Sequence, residues 1–151
     1  MKICTFFGHR DAPESVRPQI FSCLEALIAE GKADTFYLGN NGNFDRMVKA
    51  ALLHLQKLYP HISCYIVLAY VPGEKGEFDM KEDMPTIFPD GLETVPRRFA
   101  ISYRNKWMVN QAEYVVCYIE RSWGGAAQFA KMAKRKGKAV INLNEDFGEL
   151  S

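Results

Sequence analysis

Net charge is almost absent. The chain has 19 Lys and Arg against 18 Asp and Glu, a formal charge of +1 over 151 residues. No global field draws it to nucleic acid or to a membrane, so a nucleic-acid surface would have to be a local patch. Long apolar runs are missing too: the longest, residues 62–71, is interrupted and too short to cross a bilayer. The opening Met1-Lys2-Ile3-Cys4-Thr5-Phe6-Phe7-Gly8 runs straight into a strand-like segment, without the apolar stretch and cleavage site of a signal peptide. Cysteine is sparse. Cys4, Cys23, Cys64 and Cys117 include no pair at CxxC spacing, and three lie in strand-like runs. They read as reduced core thiols of a cytoplasmic protein. His54, His61 and Cys64 do not make a zinc set, because His54 sits on a helical pattern and the other two flank a strand. No metal and no cofactor is expected. No G-x-G-x-x-G follows the first strand and no G-x-x-x-x-G-K-[ST] occurs, so the usual dinucleotide and ATP signatures are absent.

What is present is an ordinary globular composition, 48% hydrophobic and 25% charged, at the length of one domain. Strand-like runs fall at Ile3–Phe7, Thr35–Leu38, Cys64–Val71, Tyr114–Ile119 and Ala139–Leu143. Between them lie helical patterns. Ser15 can cap the first, whose stripe is Ile20, Leu24, Leu27 and Ile28, with Gly31 as its stop. Asn43 can cap the second, with Phe44, Met47, Val48, Ala51, Leu52, Leu55 and Leu58 at 3/4 spacing. Ser102 can cap the third, and Gly124-Gly125 opens the fourth. Residues 72–96 differ in kind: an acidic, proline-containing insertion loop with room for a short helix or a minor strand. Strands alternating with helices predict a single α/β domain over 1–151, a parallel sheet with helices on both faces.

In such sheets ligands bind beyond the carboxyl ends of the strands, where the strand order reverses. Three glycine-bearing turns stand there: Gly8-His9-Arg10-Asp11, Gly39-Asn40-Asn41-Gly42-Asn43, and Glu120-Arg121-Ser122-Trp123-Gly124-Gly125. Glycine turns that lead into helices let backbone N–H groups approach an anion. Arg10, Arg104 and Asn105 can add bidentate or side-chain hydrogen bonds, and surface salt bridges are the alternative for both arginines. Asp45 is either a site carboxylate or a first-turn acid stabilising its helix. His9 is a proton donor or a hydrogen-bonded strut, and Trp123 stacks on a base or simply packs. The candidate ligand-binding set is Gly8, His9, Arg10, Gly39, Asn41, Gly42, Asp45, Arg104, Asn105, Ser122, Gly124 and Gly125. Glu120 and Asp45 are the candidate catalytic carboxylates.

Asn43-Phe44-Asp45-Arg46-Met47-Val48-Lys49-Ala50-Ala51-Leu52 resembles the G-I-D-x-x-A-x-x-A-L segment of Smf/DprA-like domains, with Asn43 for the glycine and Val48 for the first alanine. Arg104-Asn105-Lys106-Trp107-Met108-Val109 with Ala112-Glu113-Tyr114-Val115-Val116 looks like the R-N-x-x-M-V-x-x-A-D-x-V-V stretch of the YpsA-like branch. Gly124-Gly125-Ala126, a helix, and Gly137-Lys138-Ala139-Val140-Ile141 are similar to that family's ending. Together the motifs resemble the SLOG superfamily, which takes its name from the Smf/DprA and LOG proteins. The resemblance implies a Rossmann-like three-layer α/β/α sandwich, with a mainly parallel five-stranded sheet in the order 3-2-1-4-5. It also implies a pocket for a nucleotide-derived ligand, with Gly8, Arg10, Gly39, Asp45, Arg104, Asn105, Gly124 and Gly125 carried over by position. The expected role is sensing or binding of a small phosphorylated ligand. A nucleoside-monophosphate N-glycosidase of the LOG kind is the alternative, and a DNA-handling module using Lys131, Lys134, Arg135, Lys136 and Lys138 the third. The LOG pattern places a glutamate where this chain has Phe129 and a threonine where it has Ala126, so weak N-glycosidase activity is expected. The expected partner is a small molecule, with no membrane and no nucleic acid; a homo-oligomer is compatible with the sequence.

Overall fold

The computed structural model describes residues 1–70 and 83–148. Among these residues six strands form one parallel sheet: β1 Ile3–Gly8, β2 Thr35–Leu38, β3 Ser63–Val67, β4 Thr86–Ile87, β5 Tyr114–Tyr118 and β6 Ala139–Asn142. Their order is β4-β3-β2-β1-β5-β6, every pairing parallel. Leaving out β4, this is the 3-2-1-4-5 order expected from the sequence. The count is six rather than five because Thr86–Ile87 joins the edge of β3; Leu68 N–H donates to Ile87 O at 2.8 Å and Ile66 N–H to Pro85 O at 2.9 Å. This is the minor strand for which the 72–96 segment had room; its two residues give no periodicity that would place it. Of the expected insertion loop, residues 72–82 lie outside the described residues, and Leu92–Thr94 forms a 3₁₀ turn.

Among the described residues four α-helices cover the sheet: α1 Arg17–Ala29, α2 Asn43–Leu58, α3 Ala100–Gln111 and α4 Gly125–Arg135. The two-residue alternation of the strands divides the core between two layers. Cys4, Phe6, Phe36 and Leu38 face α1 and α2, where they join Ile20, Leu24, Met47, Leu52 and Leu55. Ile3, Phe7, Val115 and Cys117 face α3 and α4, where they join Met108, Val109, Phe129 and Ala130. The result is the expected three-layer, Rossmann-like sandwich.

The helix starts differ from those read off the sequence. Helix α1 is entered through a 3₁₀ turn at Glu14–Val16, so Ser15 lies inside that turn instead of capping. Likewise a 3₁₀ turn at Arg97–Phe99 carries the chain into α3 at Ala100, and Ser102 falls within the helix. In α2 the cap position belongs to Gly42, and Asn43 is the first helical residue. Strand β3 ends at Val67, four residues before the end of the apolar run. Leu58, at the end of the α2 stripe, is exposed. All four cysteines are free, and Cys4, Cys64 and Cys117 are buried. No helix among the described residues is long and apolar enough to cross a membrane.

Candidate functional site

Strand β1 lies between β2 and β5, so the chain crosses from one half of the sheet to the other beside it. At the carboxyl ends of these three strands is a cavity of about 480 Å³, within the range of small-molecule sites. Its lining brings together Gly8, His9, Arg10, Gly39, Asn41, Asp45, Arg104, Asn105, Gly124 and Gly125. Ile101 and Met108 of α3 supply apolar wall. Of the residues expected from the sequence, Gly42, Ser122 and Glu120 do not line it. Ser122 lies on a neighbouring, more open depression with Trp123, Gln128, Lys131 and Arg135.

The three glycine turns have separate roles. At Gly8 an added Cβ would fall 2.1 Å from Phe44 Cγ, so this glycine lets α2 pack directly on β1. At Gly42, φ is +93° and an added Cβ would meet Arg10 Cα at 2.7 Å. The turn after β2 therefore lies flat against the turn after β1, and Asn43 N–H donates to Arg10 O at 2.9 Å. The Asn43 side chain continues this seam, donating to Ala12 O at 2.6 Å and to Glu14 at 2.8 Å. The N-terminus of α2 is thus occupied by protein and carries Asp45 in its first turn. Helix α4 is the opposite case. Gly124 caps it at φ +95° with no side-chain cap, as Gly42 does for α2, but its first turn holds no acidic residue and no other segment's carbonyl meets it among the described residues. Around Gly124 and Gly125 an added Cβ would meet nothing within 4 Å. The first N–H groups of a helix have no partner within it, and here they lie at the cavity wall with the positive end of the helix dipole.

A polar network forms one side of the cavity. Arg104 is only 2% exposed, an unusual burial for an arginine. Its Nε donates to Asn105 Oδ1 at 2.8 Å, one terminal nitrogen to Val67 O at 3.0 Å and the other to Asn41 Oδ1 at 2.7 Å. Three of the five N–H groups of the guanidinium are therefore committed to protein. Burial lowers the Arg104 pKa, and the nearby Asp45 charge opposes that shift. Asp45 accepts from Asn41 N–H at 2.9 Å. Burial pushes its carboxyl up to about 6, against the pull of that hydrogen bond and of the Arg104 and Arg10 charges. The open side of Asp45 is the cavity. Arg10 is exposed at the rim, and its side chain has no hydrogen-bond or ion-pair partner among the described residues.

His9 is buried, and its Nε2 accepts from Glu120 N–H at 3.1 Å. Burial first, then the Arg121 charge, lowers its pKa. A neutral imidazole with Nε2 as acceptor carries its proton on Nδ1, and it ties the β1 turn to the β5 turn. Glu120 is exposed and turned toward Tyr118 and Arg121. Phe129 lies in the core, stacked on Phe7 with ring centroids 5.6 Å apart.

Two features of the site were not singled out in the sequence. Arg121 lines the cavity and reaches across it to Asp11, with its terminal nitrogen 3.0 Å from the carboxylate. These residues stand 110 positions apart, so no local pattern joins them. Asn142 receives Ile119 N–H at 3.0 Å and Asn144 N–H at 3.1 Å and returns a bond to Ile119 O, which fixes the end of β5. Among the described residues no cluster of His, Cys, Asp or Glu could hold a metal. No protein-family model matches the chain, and no curated protein matches it.

Proposed function

We propose that this protein binds a small, phosphorylated, nucleotide-derived ligand at the carboxyl edge of its sheet. One observation carries the reading: the N-terminus of α4, with no side-chain cap, opens on a cavity of about 480 Å³ whose rim holds the Arg10 side chain without a partner among the described residues. Helix N-termini of this kind favour anions through free N–H groups and the helix dipole. The apolar wall of Ile101 and Met108 suits the rest of a nucleotide. The motif resemblance to the SLOG superfamily points to the same ligand class. The free thiols fit a reducing, cytoplasmic setting. A thermal-shift screen of mono-, di- and cyclic nucleotides tests the reading, together with native mass spectrometry of freshly purified protein. Stabilisation by at least one phosphorylated ligand is expected, and none at millimolar concentration overturns it.

A second reading is favoured by Asp45, a cavity carboxyl with its pKa pushed up to about 6. Such a group can serve as an acid or a base near neutral pH. An N-glycosidase working through Asp45 would release free base from a nucleoside monophosphate, and chromatography of such incubations tests it. The DNA-handling reading has less support, because the cationic residues at the end of α4 sit where a helix C-terminus favours them anyway.

A further inference from the structure

Arg121 has three neighbours and one unmet need. One terminal nitrogen lies 3.0 Å from Asp11 and the other 3.4 Å from Glu120. Its guanidinium also stands over the Trp123 ring, 4.7 Å from the centroid. Yet its Nε–H is buried with no acceptor among the described residues. A guanidinium is most stable when its donors are matched, so the geometry on Asp11 and Glu120 is a compromise. Both carboxylates reach solvent, Asp11 with most of its side chain, 68% exposed, and Glu120 with 37%. They lose little on release, because an exposed ion pair is weak and water replaces the arginine. Arg121 also lines the cavity, as do Gly124 and Gly125 at the open end of α4.

We infer that Arg121 is the side chain that takes the anionic group of the ligand, and that Asp11 holds it until the ligand arrives and sets the charge the ligand must carry. The inference rests on the binding role proposed above and narrows its ligand to phosphomonoesters and pyrophosphates. A monoanion would merely exchange one carboxylate for another single charge. A phosphomonoester brings a charge near −2 and three acceptor oxygens. It can satisfy the Nε–H of Arg121 and a terminal N–H together, in the fork geometry that suits arginine, with oxygen left for the N–H groups of α4. A phosphodiester carries a single charge and fewer free oxygens, so it displaces Asp11 less well. The departing Asp11 turns to water, and Arg121 shifts off the Trp123 ring.

The test uses the full chain with Trp107→Phe, so that Trp123 is its sole tryptophan. Probes are the four common nucleoside 5′-monophosphates, their 3′,5′-cyclic counterparts and inorganic pyrophosphate, followed by fluorescence, with circular dichroism as the check on folding. We expect the best 5′-monophosphate to bind at least about tenfold more tightly than its cyclic form, a difference of about 1.4 kcal/mol. Asp11→Asn should tighten binding by about threefold, the scale of an exposed ion pair. Arg121→Ala should weaken it by about tenfold or more, with Arg121→Lys intermediate. Binding that is equal for cyclic and open phosphates, or unmoved by both Asp11→Asn and Arg121→Ala, overturns the assignment while leaving the general binding role intact. If no probe binds either the parent or Asp11→Asn, both the assignment and the proposed function fall.

Discussion

Asp45 and Arg104 are joined through one residue. Asn41 donates its backbone N–H to the Asp45 carboxylate at 2.9 Å and accepts from the Arg104 guanidinium on its side-chain oxygen at 2.7 Å. Gly39 leaves room for this, since a Cβ there would stand 2.9 Å from Asp45 Oδ2 and 3.3 Å from Arg104 Cζ. A carboxylate, a cation and a turn are thereby locked together on one side of the cavity.

The first prediction concerns pH. The Asp45 carboxyl titrates near 6 in the folded protein against 3.8 without the fold. Between those values the native state binds the extra proton, so stability falls as pH rises from about 4 to about 6 and then levels off. The shift corresponds to roughly 2–3 kcal/mol. Asp45→Asn removes this component. Urea denaturation at a series of pH values should therefore show the parent losing that much more than the variant across the window. Parallel curves would mean that desolvation does not raise the Asp45 carboxyl in the folded protein.

Arg104 should behave as a strut before it behaves as a ligand. Arg104→Ala strands Val67 O and the Asn41 side chain and leaves Asp45 without its nearest buried cation. Breaking a buried charge network in this way costs about 3–5 kcal/mol. Chemical denaturation measures it. A loss below about 1 kcal/mol, the range of ordinary surface substitutions, would mean that the guanidinium is not held by the protein.

Two glycines of the site should separate folding from binding. Gly8→Ala drives a methyl into the buried Phe44 ring and should cost about 1–3 kcal/mol, the range for overpacking. Gly125→Ala has open space and lies within a helix, so its stability should stay within about 0.5 kcal/mol of the parent or rise slightly. The same methyl projects where an anion would approach the α4 N-terminus, so phosphate binding should weaken. Unchanged phosphate affinity in a folded Gly125→Ala protein would move the anion away from α4.

Much of this layout was legible in the sequence, and the reasons differ by element. The strands and helices followed from apolar runs spaced by amphipathic helices, because a buried parallel strand and a half-buried helix leave different periodicities, whereas the strand order was what the motif resemblance implied. The cap positions at Ser15, Asn43 and Ser102 did not follow, because 3₁₀ turns at Glu14–Val16 and Arg97–Phe99 and the positive-φ Gly42 take over those helix starts. Glycine turns marked the cavity, yet their identical appearance hid three jobs: packing at Gly8, loop docking at Gly42 and an open helix end at Gly124. The burial of Arg104 and the Arg121–Asp11 bridge depend on contacts between distant segments, and only the assembled fold displays them.

The last prediction is poor turnover as a LOG-type N-glycosidase. Cleaving an N-glycosidic bond builds positive charge on the sugar, so a carboxylate must face it as nucleophile, base or electrostatic partner. At the position where the LOG pattern has glutamate, this chain has Phe129, 3% exposed and stacked on Phe7 inside the α4 layer. A glutamate placed there would bury its charge in the core. Phe129→Glu should therefore destabilise the fold rather than create activity. Glu120 is turned toward Arg121 and Tyr118, outside the cavity lining, so it is badly placed to help. Asp11 and Asp45 are the carboxylates that line the cavity. Asp11 is tied to Arg121, whose hydrogen bond holds its carboxyl below the usual range and makes it a weak base. Asp45 alone has a pKa suited to proton transfer near neutrality, but it already accepts from Asn41 and answers to Arg104. Incubation with nucleoside monophosphates should yield free base well below about 1 s⁻¹, the low end of ordinary enzymes. Turnover above that rate, abolished by Asp45→Asn in a variant that still folds and still binds phosphate, would make this a catalytic pocket with Asp45 at its centre.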